Sequence, residues 1–405
     1  MKNKYLVLLA FFAFAIYSAY NFLYLSSSPI FPDEGRYISE AVTLVEKGEF
    51  LVRNDRAWEM PLVAIIYSSF YKVFDSQESL ILSIRFFQSI LLILNAFLIY
   101  KISYLIFKNR KISIIAYIIT LFYPYFIYYQ ALLLSETIFI TFLLFSFYFL
   151  YRWKENSFKI DINFALANLF FILTIYTRAT LTILPPLIFL LFIFLNKFDL
   201  KSSLKIFIYS ICIYMSLLSP WWIRNYNIFN EFVPFTTSSS SNLYLGNNSK
   251  NLIGGCDWSK DIDFETVNKI KTIKDEIDRS KVYSNEAKEF ISKNPDRFFE
   301  LMWLKFQRFW SVVPNTEAFS SGIYKWISIL SFGIILPLAL ISFFINLKNF
   351  FTILPIYILI AYITLLHSIV IASLRYRLPI EPFLIILASF VIGTIWSKFS
   401  DDKNS

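Results

Sequence analysis

Cysteine and histidine are almost missing from this chain. Cys212 and Cys256 are the two cysteines among 405 residues. One lies in an apolar run and the other in a polar stretch, so they supply neither a disulfide framework nor a cysteine-based metal site. The single histidine, His367, sits within an apolar run. That argues against histidine metal chemistry and for a residue packed or paired inside a bundle. A Gly-rich phosphate turn and an alternation of strands with helices are also lacking. Asp261-Ile262-Asp263 has the Asp-x-Asp spacing of nucleotide-sugar enzymes, but without such a domain a soluble nucleotide donor has no cradle. Neither a short-period repeat nor the inverted repeat of a secondary transporter is visible.

Apolar residues are abundant: 57% of the chain is apolar and 20% aromatic, gathered in runs long enough to cross a bilayer, which takes ~20 helical residues. Closed barrels alternate polar and apolar residues and would not show such runs. The chain therefore reads as an all-α polytopic membrane protein. Spans are expected near 5–25, 80–107, 112–131, 133–151, 162–177, 180–196, 204–222, 323–346, 350–371 and 379–397. The first run is longer than a signal-peptide core, and Ser26-Ser27-Ser28-Pro29 lacks the small-x-small pattern of a cleavage site, so it reads as a retained span.

Alternate connections carry the basic residues: Lys2 and Lys4; Lys108, Arg110 and Lys111; Arg152, Lys154 and Lys159; Lys197, Lys201 and Lys205; Lys348; Lys398 and Lys403. By the positive-inside rule these connections and both termini are cytoplasmic. The net charge of +9 serves topology and gives no reason to expect a nucleic-acid partner. Lys, Ile and Asn are abundant in the way of an AT-rich prokaryotic genome, which implies the cytoplasmic membrane. Three parts are expected: an N-terminal transmembrane module over 1–222 containing a first outer loop at about 26–79, a large extracytoplasmic loop over 223–322, and C-terminal helices with a short cytoplasmic tail over 323–405.

In the first outer loop, Tyr37, Ile38, Ala41, Val42 and Val45 recur at helical spacing from Glu34 to Lys47, and Gly48 stops the helix. This helix is expected to lie in the membrane interface, with residues 61–74 forming a second short helix. In the large loop, 223–263 reads as coil, 264–293 as a charged surface helix, and the basic, aromatic run from Pro295 as an interfacial helix.

Charges against the orienting rule mark candidate chemistry. Asp33-Glu34 opens the first interfacial helix. It can be an N-cap with a favourable first-turn acid, Arg36 being a local partner, or a general base and its helper held at the membrane surface. Glu59 precedes Pro61 and reads as a helix-start acid or a site acid. Glu136 follows an aromatic stretch at the outer end of a span. Arg178, Arg224, Arg375 and Arg377 can converge on a phosphate, snorkel to headgroups, or pair with Glu136 and Glu381.

The ordered stretches PDEGRY (32–37), EMPL (59–62), YPYFIYYQALLLSET (123–137), TRAT (177–180), PWWIRNYNIF (220–229), NLYLGNN (242–248) and RYRLPIEPF (375–383) resemble the GT-C superfamily of membrane glycosyltransferases. The nearest likeness is to the family 39-like branch containing dolichyl-phosphate-mannose protein mannosyltransferases and the bacterial lipid A aminoarabinose transferase. The resemblance implies a GT-C-type bundle of about 10 transmembrane helices. It also implies transfer of a sugar, with inversion, from a polyprenyl-phosphate donor to a protein, lipid or polysaccharide acceptor on the extracytoplasmic face. Asp33 would be the catalytic base, Glu34 would assist it or contact the acceptor, and Glu136 would be a second site acid. Arg178, Arg224, Arg375 and Arg377 would face the donor phosphate. Glu59 matches a position linked to a divalent cation or phosphate in some members, although Met60 stands where a Lys often follows. A glycolipid flippase and a non-catalytic subunit of a cell-envelope assembly are the competing readings. Neither needs a base beside an acceptor.

Overall fold

The computed structural model describes residues 3–23, 25, 29–31, 33–52, 54–74, 76–195, 199–315 and 320–401. Pro32, Ser26 to Ser28, Lys2, Lys197 and Lys403 lie outside them. Among the described residues the chain is helical and has no β-strand. In order the helices are α1 Asn3–Leu23, α2 Glu34–Lys47, α3 Leu62–Phe74, α4 Gln77–Phe107, α5 Arg110–Leu121, α6 Pro124–Gln130, α7 Glu136–Glu155, α8 Ile162–Thr177 and α9 Leu184–Leu195. They continue with α10 Leu200–Phe229, α11 Ser238–Gly246, α12 Phe264–Lys271, α13 Glu276–Lys293, α14 Pro295–Trp310, α15 Gly322–Ile345, α16 Phe350–Ile369, α17 Leu374–Arg377 and α18 Glu381–Asp401.

Local chemistry sets the boundaries. The Ser76 hydroxyl accepts from the Ser79 amide at the start of α4, and the Asn109 side chain accepts from Lys111 and Ile112 at the start of α5. Asp161 and Asp199 cap α8 and α10 in the same way. Gly48 ends α2 at φ 67°, the left-handed geometry that glycine adopts without strain. Pro124, at the first position of α6, marks a 50° bend between α5 and α6.

This is a multi-pass membrane protein. Six described helices are long and apolar enough to cross a bilayer, or seven if the bent α5–α6 pair counts as one span. The expectation of ten is not reached by that standard. Helices α8 and α9 have 16 and 12 residues, short of the ~20 needed, and α7 carries charged residues at both ends. Lipid tails offer no hydrophobic drive for helix association, so close packing and buried polar contacts must hold the bundle. Phe147 of α7 lies 4.6 Å from Phe383 of α18 and 6.0 Å from Phe171 of α8 between ring centroids. The Tyr17 hydroxyl donates to the Leu121 carbonyl while that of Tyr117 donates to Leu6, joining α1 and α5 in both directions.

Both short helices of the first loop form as expected. The large loop differs: α10 runs past 222 to Phe229, and α11 occupies 238–246, so 223–263 is only partly coil. The charged segment is two helices, α12 and α13, with Asp275 capping the second.

Candidate functional site

The site is built around a break in helical structure at 131–135, between α6 and α7. Residues 131–135 are buried, and buried irregular backbone must find its partners within the protein. Here α4, the first loop and α3 supply them. Arg85 donates through Nε to the Ala131 carbonyl (2.9 Å), and Gln88 donates to Leu132 (2.7 Å). The Leu133 amide donates to Glu34 Oε1 (2.8 Å), and the Tyr67 hydroxyl donates to Leu134 (3.1 Å). Tyr37 reaches Ser135 Oγ from α2. Glu136, the first residue of α7, is thereby held at the end of the break.

The adjacent acids of the first loop have separate fates. Asp33 occupies the cap position of α2, yet its side chain makes no capping bond. Its carboxylate instead accepts from Arg375 Nη1 at 2.5 Å and lies 3.8 Å from Arg36, and a third of its side chain is exposed. Burial pushes its pKa up, but Arg36 and Arg375, with Arg178 farther off, more than offset this and hold it below the ordinary carboxylate value. Glu34 is fully buried. Its Oε2 accepts from the Ile30 and Phe31 amides (2.6 Å each), its Oε1 accepts from Leu133, and Arg85 lies 4.0 Å away. A carboxylate so occupied offers nothing to an acceptor, and it clamps the entrance of α2 onto the 131–135 break.

Arg375, on the short helix α17, joins the site acids. It contacts Asp33 through Nη1 and Glu136 Oε1 through Nε, and its guanidinium carbon lies 5.5 Å from the Phe31 ring centroid. Arg178 also donates to Glu136 Oε1 (2.9 Å) and lies over Tyr376. Arg36 pairs with Glu59 at 2.5 Å. The cluster thus comprises Asp33, Glu59 and Glu136 with Arg36, Arg178 and Arg375.

The expected set of phosphate-binding arginines divides. Arg377 is fully buried and committed elsewhere: it pairs with Glu381 at 2.8 Å, donates to the carbonyls of Phe309 and Ser311, and lies against the Phe332 ring. Residues two apart on a helix point ~200° apart, so Arg375 and Arg377 cannot share one site. Arg224, on α10, stacks on Trp221 and Phe50 with ring-centroid distances of 4.7 and 5.6 Å and donates to Asn225 Oδ1 at 2.8 Å. It stands apart from the Arg375 network, within the influence of Glu276 and Glu40.

Arg36 Nη2 lies 2.5 Å from Glu59 Oε1 and 3.8 Å from Asp33 Oδ1, so a guanidinium stands between these two carboxylates. Among the described residues no group of three or more His, Cys, Asp or Glu could hold a metal. Burial raises the pKa of Glu59, partly offset by Arg36. Asp261 accepts from the Asp257 amide and Asp263 caps α12, so the Asp-x-Asp motif shapes a loop. His367 is buried, its ring stacked 4.6 Å from that of Tyr376.

Two parts of the arrangement escaped the sequence. Arg36 was legible only as a local partner of the acids, not as the bridge to Glu59, which lies beyond a helix end and a turn. Glu40 is buried on α2 with Oε2 unpartnered, and burial, then Glu59, raise its pKa well above the ordinary value. The available signal was its spacing: Glu40 lies one helical turn after Arg36, on the same face.

The comparisons decide the fold. Over 99% of its length the chain superposes on the archaeal oligosaccharyltransferase AglB from Archaeoglobus fulgidus, in complex with an inhibitory peptide and a dolichol-phosphate. The TM-score is 0.59 at 12% identity, and 51% of that chain is covered. Over 96% of its length it superposes on ArnT from Cupriavidus metallidurans bound to undecaprenyl phosphate, with TM-score 0.54, 14% identity and 60% of that chain covered. The fold is that of the GT-C membrane glycosyltransferases. Residues 56–223, under half of the chain, match the family described as dolichyl-phosphate-mannose-protein mannosyltransferase. No curated protein matches the chain in sequence. The chain spans about half the length of AglB and three fifths of ArnT. In this GT-C fold the acid–arginine cluster is assembled from α2, the turn before α3, α7, the end of α8 and α17.

Proposed function

We propose that this protein is a membrane glycosyltransferase that moves a sugar from a polyprenyl-phosphate donor to an acceptor hydroxyl on the extracytoplasmic side, with Asp33 as the general base. The observation that carries this reading is the state of Asp33: a partly exposed carboxylate at a helix start that does not cap the helix and is held by Arg375 and Arg36. The sidedness rests on the distribution of Lys and Arg among the loops.

In the reaction the acceptor oxygen bonds to the anomeric carbon and the bond from that carbon to the phosphate oxygen breaks. Asp33 takes the acceptor proton, and polyprenyl phosphate leaves. Attack opposite the leaving group inverts the anomeric centre. Phosphate is a good leaving group, so a base of low pKa suffices, and its charge is met by guanidinium groups without a strong acid. Arg375 serves both partners. Drawn toward the donor phosphate, it releases Asp33, whose basicity rises as the donor settles. Glu34 acts as a positioning residue, and Glu136 aims Arg375 and Arg178.

The test is release of polyprenyl phosphate from defined polyprenyl-phosphate sugars by the purified protein. Asp33→Asn should abolish release while donor binding persists. Retained transfer with both Asp33 and Glu34 converted to amides would overturn the assignment.

A further inference from the structure

Lys305 is a fully buried lysine without a carboxylate partner among the described residues. It projects from α14, the amphipathic helix of the large loop, into the bundle. Its ammonium donates to Asn247 Oδ1 (3.0 Å) and to the carbonyls of Ile369 (2.7 Å) and Val370 (3.3 Å). Ile369 ends α16, so these carbonyls belong to the negative end of a 20-residue helix. Such an end favours a cation and leaves carbonyl groups that need donors. The helix terminus stands in for the missing counter-ion.

The same turn is gripped from two further directions. Asn247 Nδ2 donates to the Ile369 carbonyl at 3.0 Å, and His367 Nδ1 lies 3.0 Å from the Ile371 carbonyl. Gly246 packs so closely that a Cβ there would stand 1.7 Å from the Val370 oxygen. Three residues after Val370 comes Ser373, the cap of α17, and then Arg375.

We infer that Lys305 is a positioning residue for glycosyl transfer: its ammonium latches the large loop to the end of α16 and so fixes the turn that delivers Arg375 to Asp33 and Glu136. This rests on the function proposed above. Burial lowers the Lys305 pKa to about 7. The latch acts through geometry, since Lys305 touches none of the cluster acids. Misplacing a catalytic group by ~1 Å can cost ~100-fold in rate, so a loosened turn should appear in kcat more than in donor KM.

The experiment compares full-length wild type, Lys305→Met and Lys305→Arg in detergent, by polyprenyl phosphate release and by hydrogen exchange of the segment 366–378. The expected result for Lys305→Met is a kcat lower by about tenfold or more, a donor KM within about twofold of wild type, and faster exchange confined to 366–378. Lys305→Arg should recover part of both losses. An unaltered kcat and unaltered exchange in folded Lys305→Met would overturn the latch. If Lys305→Met does not fold, Lys305→Gln, whose uncharged amide is one bond shorter and brings two N–H donors to three acceptors, should lower kcat and quicken exchange to a lesser degree, and the absence of both changes would overturn the latch. Absence of transfer by the wild type would refute the glycosyltransferase reading instead, and the exchange result would still judge the latch.

Discussion

Asp33 and Glu34 are neighbours in sequence, as nearly are Arg375 and Arg377, and each pair is divided between two regions. Asp33 and Arg375 face each other in the partly open cluster. Glu34 and Arg377 face the closed frame, one holding backbone amides around the break at 131–135 and the other holding carbonyls at the end of α14. Helical geometry makes the division, since each residue turns the side chain by ~100°. A short charged motif near a membrane surface is therefore better read as one site residue and one frame residue than as a doubled site. The two regions differ in what their charges accomplish. In the cluster, carboxylates meet the guanidinium groups of Arg36, Arg178 and Arg375. In the frame, they meet fixed backbone groups that nothing else can satisfy.

Identical chemical changes should break the two regions differently, and the largest contrast is between two amide substitutions. Asp33→Asn should leave the folded yield and melting temperature near wild type while transfer falls by ~10²–10⁴-fold, the usual worth of a positioned general base. Glu34→Gln should destabilise the protein by about 2–4 kcal/mol, because one oxygen that accepts backbone amides becomes a donor facing them. Turnover assays alongside thermal melts in detergent separate the two. If Asp33→Asn loses stability and Glu34→Gln loses only turnover, the assignment of regions is inverted.

The next contrast is in the arginines. Arg377→Met should strand Glu381 in the interior at a cost of about 3–5 kcal/mol, and Arg377→Met with Glu381→Leu should recover more than half of it, as read by melts of the single and double variants. Arg375→Lys should fold normally, yet lose the fork that spans Asp33 and Glu136, with transfer down by about tenfold. It should also shift the pH profile. Arg375 helps to hold the Asp33 pKa below the ordinary value, so weakening that contact raises the pKa. The acid limb of kcat/KM then moves to higher pH. An unchanged acid limb would mean that Asp33 is not the titrating base.

Legibility in the sequence followed the same boundary. Helix α2 was readable from its apolar spacing and Gly48, and α14 from Pro295 and its aromatic, basic face, because these are local signals. Glu136, Arg178 and Arg375 were readable as charges that violate an orienting rule, and Asp33 as a carboxylate at the head of an interfacial helix; the structure brings all four together. Arg377 violates the rule equally. Only the packing of α15 and the end of α14 around it shows that its charge is spent on Glu381, one helical turn away. By length and composition six or seven described helices qualify as spans against the ten expected: α8 and α9 are short, and α7 carries Glu136 at one end and Arg152 and Lys154 at the other. The polar stretch 238–246 looked like coil because its serines and asparagines have weak helix preference; tertiary bonds such as that from Asn247 to Ile369 anchor the end of that helix.

Glu40 offers the smallest effect and the finest test, because it lies where cluster and frame meet. It is buried like Glu34, but no backbone amide satisfies its Oε2. Burial and the nearby Glu59 raise its pKa well above the ordinary value, against the pull of Arg36 and Arg224. Between the ordinary carboxylate pKa and that raised value, the folded protein keeps a proton that the unfolded chain has lost. Stability is thus greatest below the ordinary pKa and falls as pH rises through the window. Glu40→Gln removes this titration and preserves the shape. Its melting temperature should decline less than that of wild type between about pH 5 and pH 8, with the two proteins closest at the acid end. Equal declines would show an ionised Glu40 balanced by Arg36 and Arg224, and would move Glu40 out of the frame and into the charged cluster.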